Sequence, residues 1–151
     1  MNAIDTAVKT QPQWLSNFID IYQSLNTENV KLIEKIYHPE VVFEDPLHRV
    51  EGRDSLLQYF EQLYLNLSQC DFTIDRYFVD GNNAAIYWNM EFCHSKLNGG
   101  RSINVSGHTH IRGRHDKVIY HRDYLDAGAM LYEHIPLLGG AVRFIKRRAS
   151  R

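Results

Sequence analysis

The chain has 151 residues, 44% apolar and 23% charged, with a formal net charge of −1. That is the make-up of an ordinary soluble globular protein, long enough for one domain with a sizeable core. There is no apolar run of spanning length, and Met1 to Gln13 lacks the apolar core of a secretory leader. Cys70 and Cys93 are the only cysteines and have no metal-type spacing, so a reducing cytoplasm is the expected location.

The first periodic segment carries Trp14, Leu15, Phe18, Ile19, Tyr22 and Leu25 on one helical face. Asn26 and Thr27 break it, and a second short helix follows with Val30, Ile33, Ile36 and Tyr37, ended by Pro39. Val41 to Glu44 reads as a strand that stops at Asp45-Pro46. Leu56, Leu57, Phe60, Leu63, Tyr64 and Leu67 form the clearest amphipathic helix, opened by Gly52-Arg53-Asp54.

Beyond Ser68 the period changes to that of strands: Cys70 to Val79, Ala84 to Leu97, Arg101 to Arg112 and Val118 to Leu125. Turn residues separate them at Asp80–Asn83, Asn98–Gly100 and Arg114–Lys117. Helices followed by a run of strands indicate an α+β fold. Trp88, Met90, Phe92, Tyr87 and Phe72 read as core, some of them also lining a pocket.

The predicted domain covers 1–134, followed by an apolar, then basic, tail over 135–151. Five of the 17 basic residues lie in positions 143 to 151, leaving 12 against 18 acidic residues, a body of −6. An acidic body is not expected to bind nucleic acid. Pro136 and Gly139-Gly140 are expected to forbid one long tail helix. The tail should lay Ile135, Leu137, Leu138, Val142, Phe144 and Ile145 on the body or a partner subunit. The alternative is an anionic membrane surface, which the basic tail alone could meet.

The element order, with Val42-Phe43-Glu44-Asp45-Pro46 and Gly52-Arg53-Asp54 at its hinge and His121-Arg122-Asp123-Tyr124-Leu125-Asp126 on the last strand, resembles the SnoaL-like and ketosteroid-isomerase-like branch of the nuclear transport factor 2-like superfamily. The resemblance covers roughly residues 13 to 127. It implies a cystatin-like cone, a strongly bent antiparallel sheet wrapped around N-terminal helices, with one pocket at the open end and a homodimer formed on the outer sheet face. It also implies that Asp45 moves a proton beside a ketone. The chain departs from the isomerases at their oxyanion groups: Ile21, with Tyr22 one residue off, falls at the Tyr position, and His108 at the Asp position.

Four residues form the expected catalytic set: Asp45 as base, His108 as oxyanion donor, and Asp123 or His121 as orienting group or second acid. Tyr22, Phe60, Trp88, Ser106 and His110 are the expected ligand-binding residues. The set depends on register. An odd pairing across Arg114–Lys117 would set His110 opposite His121, or His108 opposite His121. A one-residue slip would put the two polar groups on different faces.

Other readings stay open. Asp45 could be a turn carboxylate, and the His108 face could be solvated. A metal bound by these His and Asp residues is not expected, because no ligand-spaced motif supports it. With no Gly-rich phosphate loop, no nucleotide cofactor is expected either. The expected activity is cofactor-independent isomerisation, cyclisation or hydration of a small hydrophobic or carbonyl-containing molecule. The alternative is a non-catalytic binding or protein-interaction domain.

Overall fold

Helix α1 (Gln13–Ser24) buries Trp14, Leu15, Phe18 and Tyr22, the stripe that its helical period predicts. These contacts come from a computed structural model that describes residues 11–150. Residues 1–10, and with them most of the Met1–Gln13 segment, lie outside the described residues, as does Arg151, the last tail cation.

After α1, a 3-10 turn at Val30–Lys35 leads directly into β1 (Tyr37–Glu44). Pro39 therefore lies inside a strand rather than ending a helix. It sits where the pairing of β1 with β6 is interrupted, between Tyr37 and Val42, a place where a missing N–H costs no ladder bond. A short β2 (Arg49–Glu51) pairs back on β1. Three residues are too few for an alternation to be read in sequence. Helix α2 (Arg53–Tyr64) follows and buries Leu56, Phe60 and Tyr64.

Four long strands complete the sheet: β3 (Leu67–Asp80), β4 (Asn83–His94), β5 (Ile103–Arg114) and β6 (Lys117–Leu125). The order is β2-β1-β6-β5-β4-β3. Only β1 and β6 run parallel; every other neighbouring pair is antiparallel. The sheet is strongly curved and open, and its concave face packs on α1 and α2 through Phe43, Ile86, Trp88, Phe92, Ile103, Val105, Ile111 and Val118. Tyr87, expected in the core, lies on the convex face, half-buried between Phe78 and His108.

One bulge decides the site. Next to the turn, Arg114 pairs with Lys117 and Gly113 with Val118. Continued, that register would place His110 opposite His121. Ile119 is instead skipped, and Arg112 pairs with Tyr120, Ile111 with His121 and Thr109 with Asp123. The extra residue on β6 moves every later side chain to the other face. His121 and Asp123 therefore face inward beside Thr109, while Ser106, His108 and His110 face outward. The expected meeting of the two polar groups does not occur.

The tail also differs from expectation. After α3 (Ala127–Met130) and a 3-10 turn at Tyr132–His134, the chain forms α4 (Leu138–Ala149), which runs through Gly139-Gly140. Gly139 is held closely: a Cβ there would meet the Glu133 carbonyl oxygen at 2.2 Å. Gly139 thus permits close docking of the first turn, and neither glycine breaks the helix. Ile135 and Val142 are half-buried, whereas Leu137, Leu138, Phe144 and Ile145 remain exposed, so most of the apolar side is not laid on the body. Among the described residues no helix is long and apolar enough to cross a membrane.

Candidate functional site

The concave wall carries a continuous chain of hydrogen bonds. The indole N–H of Trp88 donates to Thr109 Oγ1 at 2.7 Å, and the Thr109 hydroxyl donates to Asp123 Oδ1 at 2.5 Å. His121 Nε2 lies 2.8 Å from the same oxygen, Tyr37 Oη lies 2.8 Å from His121 Nδ1, and Tyr22 Oη lies 2.5 Å from Tyr37 Oη. One proton assignment satisfies every link. His121 Nε2 donates to Asp123, Tyr37 donates to His121 Nδ1, and Tyr22 donates to Tyr37. Burial pushes the Tyr22 and Tyr37 phenols far above their ordinary range, with the Asp123 carboxylate adding to the shift, so both stay protonated.

Local packing fixes this chain. His121 is 1% exposed and is surrounded by the rings of Phe18, Tyr22, Tyr37 and Phe43. Gly107 lets the Trp88 indole lie across β5, since a Cβ there would come within 2.5 Å of the ring. Asp123 Oδ1 thus receives two hydrogen bonds. Its Oδ2 receives none from the described residues, and the side chain stays 20% exposed.

Asp123 lines a cavity of about 550 Å³. Phe43, Phe60, Phe72, Trp88, Met90 and Phe92 form much of its wall, and Met130 and Leu131 reach it from the segment after β6. His48, Gln62, Asn66 and His94 supply polar groups, and among the described residues no Lys or Arg lines it. A separate void of about 10 Å³, behind Phe72, Trp88 and Asp123, is only water-sized. In the cavity wall, the buried Tyr64 hydroxyl finds no nitrogen or oxygen partner among the described residues. Its polar neighbour is the Cys70 thiol, which burial pushes up to about 11, so Cys70 is no thiolate nucleophile at neutral pH.

Asp45 lines the same cavity but is differently engaged. Its Oδ1 accepts from the backbone N–H groups of Leu47 and His48, each at 2.7 Å. Its own N–H donates to the His48 carbonyl at 3.0 Å. This is an Asx turn that builds the β1–β2 connection. Oδ2 accepts from the Tyr59 hydroxyl, which also lies 2.9 Å from His48 Nδ1. Burial and Asp45 together push the Tyr59 phenol well up. Glu44 points to the convex face, where its hydrogen bond to Arg49 and then that to Tyr120 hold its carboxyl below the usual range.

The other expected site residues are placed as follows. Phe60 and Trp88 line the cavity, whereas Tyr22 lines the small void. His108 is stacked on the convex face between Tyr87 and Tyr124, with ring centroids 5.4 and 4.9 Å away. His110 Nε2 lies 3.0 Å from Asn83 Oδ1, and Ser106 donates to Asn89. None of these three touches the cavity. Sequence reasoning missed Thr109, Tyr37, Tyr59 and His48. Tyr37 alone carried a signal, since it opens the strand that ends in Glu44-Asp45-Pro46. Among the described residues no three His, Cys, Asp or Glu side chains converge as metal ligands.

Comparison with known proteins places this geometry. The SnoaL-like domain family matches residues 18–121. The chain belongs to that family. Its members include polyketide cyclases and isomerases. An NTF2-like protein of unknown function from Burkholderia pseudomallei superposes with a TM-score of 0.71 at 12% identity, covering 80% of this chain and 96% of the other. A protein with a ketosteroid isomerase-like fold from Catenulispora acidiphila, in complex with trimethylamine, gives 0.69 at 14%, covering 81% and 92%. A protein assigned to the SnoaL-like polyketide cyclases from Jannaschia sp. CCS1 gives 0.67 at 14%, covering 79% and 89%. At these identities the likeness is one of fold. A search of curated protein sequences finds no match to the chain.

Proposed function

We propose that this SnoaL-like protein binds a small, uncharged, largely apolar molecule and moves a proton on it with Asp123 as the base. The observation that carries this reading is the asymmetry of that carboxylate. Oδ1 is held by Thr109 and His121, while Oδ2 has no described partner and the side chain belongs to the wall of an apolar cavity. A fixed carboxylate with one open oxygen meets the geometric requirement for a general base. Trp88, Thr109, His121, Tyr37 and Tyr22 act as positioning residues.

The reaction class is isomerisation, cyclisation or hydration beside a carbonyl group. Among the described residues two carboxylates and no Lys or Arg line the cavity, so an anionic ligand would be repelled where water is scarce. A homodimer across the convex face, where Phe78 and Tyr124 are exposed, belongs to the same proposal.

Two measurements test it. Titration of Trp88 fluorescence should show binding of neutral 2-naphthol and none of 2-naphthoate; equal binding of both would contradict the charge argument. Deuterium exchange at the α-carbon of a small cyclic ketone should be accelerated by the wild type and not by Asp123→Asn.

A second reading, non-catalytic binding of an organic ammonium ion, is favoured by the aromatic wall beside two carboxylates. The trimethylamine complex of the Catenulispora relative is consistent with it. Binding of benzyltrimethylammonium in preference to 2-naphthol would select this reading.

A further inference from the structure

Helix α4 is docked by the wrong side for an amphipathic helix. Gly139, Arg143 and Lys146, spaced i, i+4, i+7, share one face. Gly139 is buried against the Glu133 backbone, and Arg143 Nη1 donates to the Glu133 carbonyl at 2.7 Å. Lys146 Nζ bridges Asp126 at 2.8 Å and Glu133 at 3.3 Å. The helix is thus held to the body by polar contacts.

The opposite arc carries Leu138, Ala141, Phe144 and Ile145, within roughly 120° at 3.6 residues per turn. Leu138 is 43% exposed, Phe144 52% and Ile145 64%. Leu137, just before the helix, is 95% exposed. Its φ of +67° and the Leu138 N–H to Pro136 carbonyl bond of 2.8 Å make it the centre of a γ-turn. Arg147 borders the arc, and Arg148 lies within it one turn beyond Phe144, its guanidinium 5.7 Å from the Phe144 ring.

We propose that α4 seats on an anionic lipid surface, its apolar arc among the acyl chains and Arg147 and Arg148 on the headgroups. Three observations favour this occupant. Residues 134–151 contain no Asp or Glu, so pairing two α4 stripes would bring cations against cations. An apolar arc with Arg147 beside it and Arg148 at its C-terminal end matches an interfacial helix, whose long cationic side chains reach back to the headgroups. The Asp126–Lys146–Glu133 tether joins α4 to the segment whose Met130 and Leu131 line the cavity, so an apolar cavity adjoins the lipid-facing helix.

The test is sedimentation of the full chain with phosphatidylcholine vesicles, with and without phosphatidylglycerol. The protein should sediment with the anionic vesicles, stay in solution with the neutral ones, and be released by salt. Arg147→Gln with Arg148→Gln should weaken binding by roughly thirtyfold. Phe144→Glu with Ile145→Glu should abolish it at an unchanged melting temperature, since both side chains are more than half exposed. No sedimentation with anionic vesicles, or equal sedimentation with neutral ones, overturns the proposal. So does a lower oligomeric mass of the Phe144→Glu/Ile145→Glu protein without vesicles, because another copy would then cover the stripe.

Discussion

Two carboxylates line one cavity, and their surroundings set them apart. Asp45 is built into a turn: two backbone N–H groups occupy one oxygen and the Tyr59 hydroxyl occupies the other. Asp123 is held on one side only, by Thr109 and His121. A carboxylate with both oxygens engaged serves the turn, and one with an open oxygen on an apolar cavity can serve a ligand. Reactivity thus follows from what remains unbonded, not from residue type or from presence in the wall.

The largest expected effect is on the inner chain. His121→Ala removes a ring that is 1% exposed and leaves Tyr37 and Asp123 short of a partner. It should cost about 3–5 kcal/mol, read as a large drop in melting temperature. Asp45→Ala should come next, at about 1–2 kcal/mol, because two backbone N–H groups of the turn lose their acceptor; its effect on 2-naphthol affinity should be small. If Asp45→Ala instead left stability unchanged and abolished binding, the contrast between the two carboxylates would fail. His108→Ala loses only stacking on the convex face, and should cost below about 1.5 kcal/mol with unchanged cavity binding.

The smallest effect concerns pH. The hydrogen bond from Lys146, and then that from the Ala129 N–H, hold the Asp126 carboxyl below its ordinary 3.8. A folded-state value below the unfolded one gives stability that is present above the ordinary value and lost as pH falls through the folded one. Docking of α4 should therefore be constant at neutral pH and weaken only below about pH 4. Amide hydrogen exchange in α4 followed against pH would measure this, and Asp126→Asn should remove the dependence.

Much of the fold was legible because its signals are local and repeated. The stripe of Trp14, Leu15, Phe18 and Tyr22, the alternation of Ile86, Trp88, Met90 and Phe92, and the Asn98–Gly100 turn each specify an element without help from the rest. The site was less legible, because it depends on one residue of register. Nothing in Lys117-Val118-Ile119-Tyr120 announces that Ile119 will be left out of the ladder. That omission turns His121 and Asp123 to the concave face beside Thr109 and away from His108 and His110, whose outward facing the pairing of β5 with β4 sets. The Asp45 turn was visible as Asp-Pro, but the second partner, Tyr59, comes from a helix whose approach only the tertiary structure sets. The tail was misread because Gly139-Gly140 was taken as a helix break, when the helix runs through both and Gly139 packs closely on Glu133.

The most direct test of the account is deuterium incorporation at the α-carbon of 2-tetralone, followed by NMR with wild type, Asp45→Asn and Asp123→Asn under identical conditions. The account predicts that Asp45→Asn, which keeps an oxygen for the Leu47 and His48 N–H groups, retains most of the wild-type acceleration, and that Asp123→Asn, folded and still able to bind 2-naphthol, loses it. Loss of exchange in Asp45→Asn with full exchange in Asp123→Asn would contradict it.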